Sequence, residues 1–333
     1  MRETLKRVLN AYGPAGRESK VVEVIKEIVA PYVDTMEVDA MGDLICTKKG
    51  SGEGKRVMLA AHMDQIGFVV SGIEETGFLR VFNVGGIRMT NSLNRHVVFG
   101  NGVHGVISNE QEGFNVAENS MRPLFIDIGA KDRAEAETKV RLGDMAVYVP
   151  DAFELGDDLM ASPAMDNRVG CAVQIETMRL LKDSPNEVVA VFTVQEEVGL
   201  RGATAAAYSV NPDIGIAMDV TIAGDTPKGS KIEAACGKGP CVKILDNSVI
   251  CSPKVVAAME DAAIRAELPY QLEVLTGGGT DAGAIQKNRG GVPCGVLSIA
   301  CRYVHSACEV ISISDAENGA KLLAELLNNS INV

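Results

Sequence analysis

Acidic and histidine side chains in this sequence collect just past apolar runs. Residues 57–61 are followed by His62 and Asp64, and 187–194 by Gln195, Glu196 and Glu197. Residues 214–218 are followed by Asp219, and 295–301 by Arg302 and His305. Asp166 and Asn167 stand where a helical pattern begins. Open α/β sheets bind ligands outside the carboxyl ends of their strands. If these runs are mostly parallel strands, the five clusters meet at one sheet edge. Crowded carboxylates repel one another, and desolvation raises the cost of each charge. A divalent cation relieves both. Nitrogen and oxygen donors without cysteine suit zinc, cobalt or manganese in an open, catalytic site. Two histidines and three carboxylates suffice for two ions if one carboxylate bridges. Ions about 3.5–4 Å apart can share a water, acidify it and clamp a tetrahedral intermediate.

Taken singly, each piece has an ordinary alternative: Asp166 as a helix cap, Asp219 as a turn residue, the Glu196–Glu197 pair as a solvated strand end. Their recurrence after strand upon strand is the signal. His96 and His104 lie in a different, β-rich region and read as structural. The stretch 277–283, GGGTDAG, lacks the GK[ST] of a phosphate loop and the strand–GxGxxG–helix context of a dinucleotide site. It reads as a turn lining a pocket, with Asp281 as a substrate contact. There is no GxSxG elbow for a serine hydrolase.

The elements that must position these groups can be read from periodicity. Residues 18–32 have helical spacing, 36–48 read as two short strands around 41–43, and 57–61 suit a strand buried on both faces. From 67 to 150 short β runs (68–70, 78–82, 96–99, 103–108, 125–128, 145–149) alternate with glycine turns. Asn101-Gly102 gives a two-residue hairpin signal, and one short helix falls at 133–140. Further on, 167–181 and 253–268 read as helices. The last helix opens on Ser314 and Glu317, a capping-box spacing, and ends near 327. The expected fold is therefore α/β: a mixed, largely parallel sheet with flanking helices, from 1–66 and 159–333, carrying a small β-barrel-like insertion at 67–158.

Composition agrees. A chain of 333 residues, 46% hydrophobic and 23% charged, is globular and sized for about two domains. Its net charge of −12 argues against nucleic acid as a partner. No apolar stretch approaches the roughly 20 residues of a membrane helix, and the amphipathic first residues lack a secretory core, so a cytoplasmic protein is expected. The eight cysteines form no CxxC pair and read as reduced thiols. With no Trp and 4% aromatics, the chain is poorly equipped to stack on sugars.

The strings AHMDQIGF (61–68), PAMDNRVG (163–170), TVQEEVGLRGA (193–203), AMDV (217–220), GGTDAG (278–283) and RYVHS (302–306) occur in the order found in the tetrahedral, TET-type metallo-aminopeptidases. That family includes glutamyl and deblocking aminopeptidases, and GPAGRES (13–19) also resembles its N-terminal segment. The resemblance implies a zinc-peptidase-like domain and two divalent ions per subunit, zinc or cobalt. His62, Asp166 and Asp219 would hold one ion, and Asp166, Glu197 and His305 the other. Glu196 would be the general base and proton donor, while Asp64 would hydrogen-bond the His62 ring. Gln65 departs from the pattern, standing where many relatives carry an acid.

The implied activity is removal of N-terminal residues from peptides. The implied assembly is a homo-oligomeric dodecamer built from dimers through the insertion. Rival readings are a metal-dependent deacylase of small N-acyl compounds, a glycoside hydrolase using Glu196 and Glu197, and a non-catalytic peptide-binding scaffold.

Overall fold

The computed structural model describes residues 1–110 and 124–333. Its main sheet has eleven strands. Four strands at the centre run parallel, in the order Glu187–Thr193, Arg56–His62, Ile214–Ile222, Cys294–Arg302. Antiparallel strands extend both sides: Leu44–Lys48 and Thr35–Val38 on one, Glu309–Ser312, Leu159–Ser162 and Phe153–Leu155 on the other. A branch adds Cys241–Leu245, which pairs with Cys294–Arg302 and, in parallel, with Gln271–Val274. The expected α/β class is the one observed.

Continuous apolar runs form the centre because both sheet faces are covered. Alternate residues of one strand feed different cores. Val57, Leu59 and Ala61 pack with the helices Ser19–Val29, Met165–Leu180 and Ile313–Leu327, whereas Met58 and Ala60 pack with Arg201–Val210 on the opposite face. Arg168, fully buried, ties the first helix, Arg2–Leu9, to this centre. Its Nη1 donates to the carbonyls of Val8 and Ala11, and its Nη2 to Oε1 of Gln65 at 3.1 Å.

Six strands close into a separate antiparallel barrel, ordered Gly67–Ile73, Leu79–Val84, Leu124–Asp127, His104–Asn109, His96–Phe99, Met145–Tyr148. Inward residues such as Phe68, Val97, Ile107 and Ile126 form its own core.

Three local expectations are corrected, and the ordinary alternative for Asp166 falls away. The Asn101-Gly102 connection is longer than a two-residue turn: strand pairing stops at Val98↔His104, and Gly102 N–H donates back to the Phe99 carbonyl. The side chain of Asn101 is occupied, donating to the Lys139 carbonyl and accepting from the N–H of Val103. The last helix starts one residue earlier and is capped by the extended Ser312, whose hydroxyl accepts from the N–H of Asp315; Ser314 falls inside the first turn, and both hydroxyls donate to the Asp158 carboxylate. Asp219 lies inside its strand, which continues to Ile222. Asp166 caps nothing: it sits in a non-helical break (φ −74°, ψ 103°) ahead of the regular turns, followed by a cis peptide bond.

Candidate metal centre

Most of the functional side chains are delivered by a strand end or a break in regular structure, and Asp219 by the carboxyl-terminal half of the strand Ile214–Ile222. His62 is the last residue of its strand, and Asp166 precedes the regular part of its helix. Past Thr193 the backbone turns left-handed at Gln195 (φ 54°). That turn brings both Glu196 and Glu197 to the same side, which an extended strand would not do. His305, also left-handed (φ 60°), lies between Cys294–Arg302 and Glu309–Ser312.

These residues converge. His62, Asp166 and Asp219 form one group whose ligand atoms all lie within 4.8 Å of one another; Asp166, Glu197 and His305 form a second. Asp166 belongs to both and divides its oxygens between them. Its Oδ1 lies 3.1 Å from His62 Nε2, and its Oδ2 lies 3.3 Å from His305 Nε2. Asp219 Oδ1 stands 3.7 Å from His62 Nε2, and Glu197 Oε2 stands 3.4 Å from His305 Nε2. Glu196 Oε2 is 3.9 Å from His62 Nε2.

The electrostatics are those of packed acids. Burial raises the Glu196 carboxyl well above the usual range, with Asp219, Asp281 and Glu197 adding to the effect against His62. Burial likewise raises Glu197 and Asp219. Burial opposes the charge of His62, but Glu196, Asp166, Asp219 and Asp64 together raise it well above the imidazole range. His305, equally opposed by burial, is pushed up to about 12 by Asp166 and Glu197. Burial would also raise Asp166, but hydrogen bonds to both histidines hold it below the usual carboxylate range. The protein thus draws protons toward the cluster, and one buried oxygen, Oε1 of Glu197, has no partner. Divalent cations fit this donor set, because they would neutralise the carboxylates and give that oxygen a cation to bind.

The support around these residues is specific. Nδ1 of His62 donates to the Asp64 carbonyl at 3.2 Å, which leaves Nε2 facing the acids. The Asp64 carboxylate is farther from the ring, at 3.5 Å, and instead accepts from the N–H groups of Glu196 and Glu197 at 3.0 and 3.2 Å. The expected Asp64–His62 link therefore runs chiefly through the main chain. Asp281 is buried, accepts from Thr193 Oγ1 at 2.6 Å, and keeps a partnerless Oδ1; burial pushes it up to about 7. His96 and His104 stand apart from this centre on the barrel, 2.8 Å from each other.

Two features escaped the sequence reading. Glu309 is buried beside the second group, its carboxylate held by the N–H groups of Asp166 and His305. The barrel also reaches the centre. A Cβ added at Gly86 would lie 2.8 Å from His305 Nδ1, and one at Gly85 would lie 2.9 Å from Glu197 Oε2. A lone acid after His305 and a Gly-Gly pair inside a β-rich stretch are the only traces of either in the sequence.

Residues 42–322 match the M42 glutamyl aminopeptidase family. The lysyl aminopeptidase of Pyrococcus furiosus is 34% identical over 340 residues, covering 98% of this chain and 96% of that one. An aminopeptidase from Desulfurococcus kamchatkensis superposes with a TM-score of 0.94 at 38% identity, covering 98% and 94% of the two chains. The Pyrococcus horikoshii TET1 peptidase, which can assemble into a tetrahedron or a large octahedral shell, gives 0.88 at 32% identity and 98% coverage of both. The chain belongs to the M42 glutamyl aminopeptidase family and is a metal-dependent aminopeptidase, a hydrolase of peptides.

Proposed function

We propose that the enzyme works with two divalent ions, zinc or cobalt, and with Glu196 as its general base. The observation that carries this reading is the division of the Asp166 carboxylate between two three-residue groups. His62, Asp166 and Asp219 would hold one ion; Asp166, Glu197 and His305 would hold the other. Divalent ions bound there supply an acidified water and polarise the scissile carbonyl.

The chain's own residues do the rest. Glu196, beside the ligands without belonging to either group, takes a proton from the attacking water and returns it to the leaving amine. Asp64 fixes the main chain of Glu196 and Glu197, so base and ligand keep their separation. Asp281, buried within electrostatic reach of Glu196, borders the substrate's place and contacts the bound peptide end.

The proposal extends to architecture: residues 1–66 and 159–333 form the catalytic domain, and 67–158 form an insertion that makes dimer contacts within a dodecamer, its barrel ending at Tyr148 and its strand Phe153–Leu155 already pairing back into the main sheet. The tetrahedral assembly of the Pyrococcus horikoshii relative supports it, as do the exposed Phe82 and Val106 on the barrel. A monomer in light scattering at every concentration would reject it. No helix among the described residues is long and apolar enough to cross a membrane. A cytoplasmic setting is supported by eight free cysteines.

The deciding experiment strips the metal with a chelator, restores zinc or cobalt, and compares aminoacyl-p-nitroanilides with their N-acetylated forms. Metal-dependent cleavage confined to free-amine substrates is expected, and the panel reveals the first-residue preference. Cleavage of only the acetylated forms would favour a deacylase; metal binding without cleavage would favour a scaffold.

A further inference from the structure

Two buried carboxylates beside the centre belong to neither ligand group, yet each holds two main-chain N–H groups. Asp64 does so for the adjacent Glu196 and Glu197. Glu309 does so for residues far apart in the chain. Its Oε2 accepts from the N–H of Asp166 at 2.9 Å, and its Oε1 from the N–H of His305 at 2.7 Å. Glu309 is 1% exposed, so water cannot take over either bond. Asp166 and His305 are also the pair whose side chains meet at 3.3 Å in the second group. Both stand in irregular backbone, a helix break and a left-handed loop residue, where no ladder of hydrogen bonds fixes them.

We propose that Glu309 is a positioning residue that sets the spacing between Asp166 and His305, and so holds the Asp166–Glu197–His305 group in register for its divalent ion. The inference rests on the two-ion reading above. The other group has anchors of its own: the His62 ring on the Asp64 carbonyl, the Cys171 thiol on the His62 carbonyl at 3.2 Å, and the Asn167 amide on the Met218 carbonyl at 2.8 Å. Losing one Glu309 contact therefore loosens the second group more than the first. Glu309→Gln does this with little change in volume: the amide offers one acceptor and turns a donor toward the other N–H.

The test is a cobalt(II) titration of chelator-stripped protein, followed by calorimetry and by cobalt visible absorption. Wild type should bind in two steps. In Glu309→Gln one step should stay within about threefold of wild type, while the other, that of the Asp166–Glu197–His305 group, weakens roughly 10–100-fold. At saturating cobalt, kcat should fall more than KM rises, and the thermal midpoint of the metal-free protein should fall by only a few degrees, the effect of one lost buried hydrogen bond. Glu309→Asp, which keeps two acceptor oxygens on a shorter stem, should fall between the two, and it decides the matter if the Gln variant does not fold. Two unchanged steps in a folded variant would overturn the proposal, and so would equal weakening of both. A single step in wild type would overturn the two-ion reading, and the role of Glu309 with it.

Discussion

Replacing Gly86 by alanine should damage the centre from the barrel side. The added Cβ would stand 2.8 Å from His305 Nδ1 and 2.9 Å from Cε1, whereas ordinary contact begins near 3.4 Å. The ring must therefore give way by about 0.6 Å, against a tolerance of about 0.2 Å in a metal–ligand distance. It has little room to do so. Its Nε2 faces Asp166 and Glu197 at 3.3 and 3.4 Å, and its main-chain N–H is held by Glu309. Gly86 is not among the glycines at positive φ, so alanine brings no backbone strain and the effect is steric. Binding at the group containing His305 should weaken by roughly 10–100-fold, or about 1.4–2.7 kcal/mol. Cobalt titration and turnover of an aminoacyl-p-nitroanilide at saturating cobalt would measure it. Gly72→Ala is the control on the same barrel, because its nearest contact, Arg80 Cβ, is an ordinary 3.5 Å away. Wild-type cobalt affinity and kcat in Gly86→Ala would refute the claim that the barrel walls this side of the site.

Glu196→Gln should keep its cobalt stoichiometry and thermal midpoint while kcat falls about 10²–10⁴-fold, the usual worth of a general base; near-normal turnover would remove Glu196 from that role. Asp43 is fully buried, with Oδ1 accepting from the Val194 N–H and Oδ2 partnerless. Burial, with help from Asp39 and Asp281, pushes it up to about 8, so the folded state keeps a proton that the unfolded state releases near its ordinary value of 3.8. Stability should therefore decline as pH rises from about 4 to 8, by no more than about 6 kcal/mol from this residue, and Asp43→Asn should flatten that decline in urea unfolding at pH 5 and 8. An equal slope in the variant would refute the assignment. Gln65→Glu would give the buried Arg168, whose pKa burial pulls down to about 10, a carboxylate partner in place of an amide oxygen. Calorimetry should show a higher Tm, from a gain of about 1 kcal/mol; a lower Tm would mean that desolvating the new carboxylate costs more than the pair returns.

What the sequence made legible follows from burial and direction. A strand covered on both faces must be apolar throughout, so 57–61, 187–194, 214–218 and 295–301 stand out. Parallel strands expose their carboxyl ends together, so the polar residues after those runs point to one place. The barrel strands are recognisable by alternation, having one buried face and one exposed. The antiparallel strands on one flank of the main sheet, Phe153–Leu155, Leu159–Ser162 and Glu309–Ser312, are three or four residues long and show no buried–exposed alternation that would mark them. Arg201–Val210, rich in Ala, has no contrast of large apolar and charged faces to mark it as a helix.

The groups around the candidate ligands were hidden for a different reason. A ligand can be recognised by what it is and by the strand it follows, but a positioning residue is defined by what it touches. Asp64 looks like a partner for the His62 ring two positions away, yet its carboxylate is spent on N–H groups 132 and 133 residues distant. Glu309 serves Asp166 across 143 residues, a connection that no local spacing encodes. Gly86 acts through the side chain it lacks, which only the neighbouring His305 ring makes meaningful. The barrel therefore belongs to the chemistry of the centre as well as to the architecture, because its glycine loop and Glu309 constrain the same histidine from opposite ends, one at the ring and the other at the main chain.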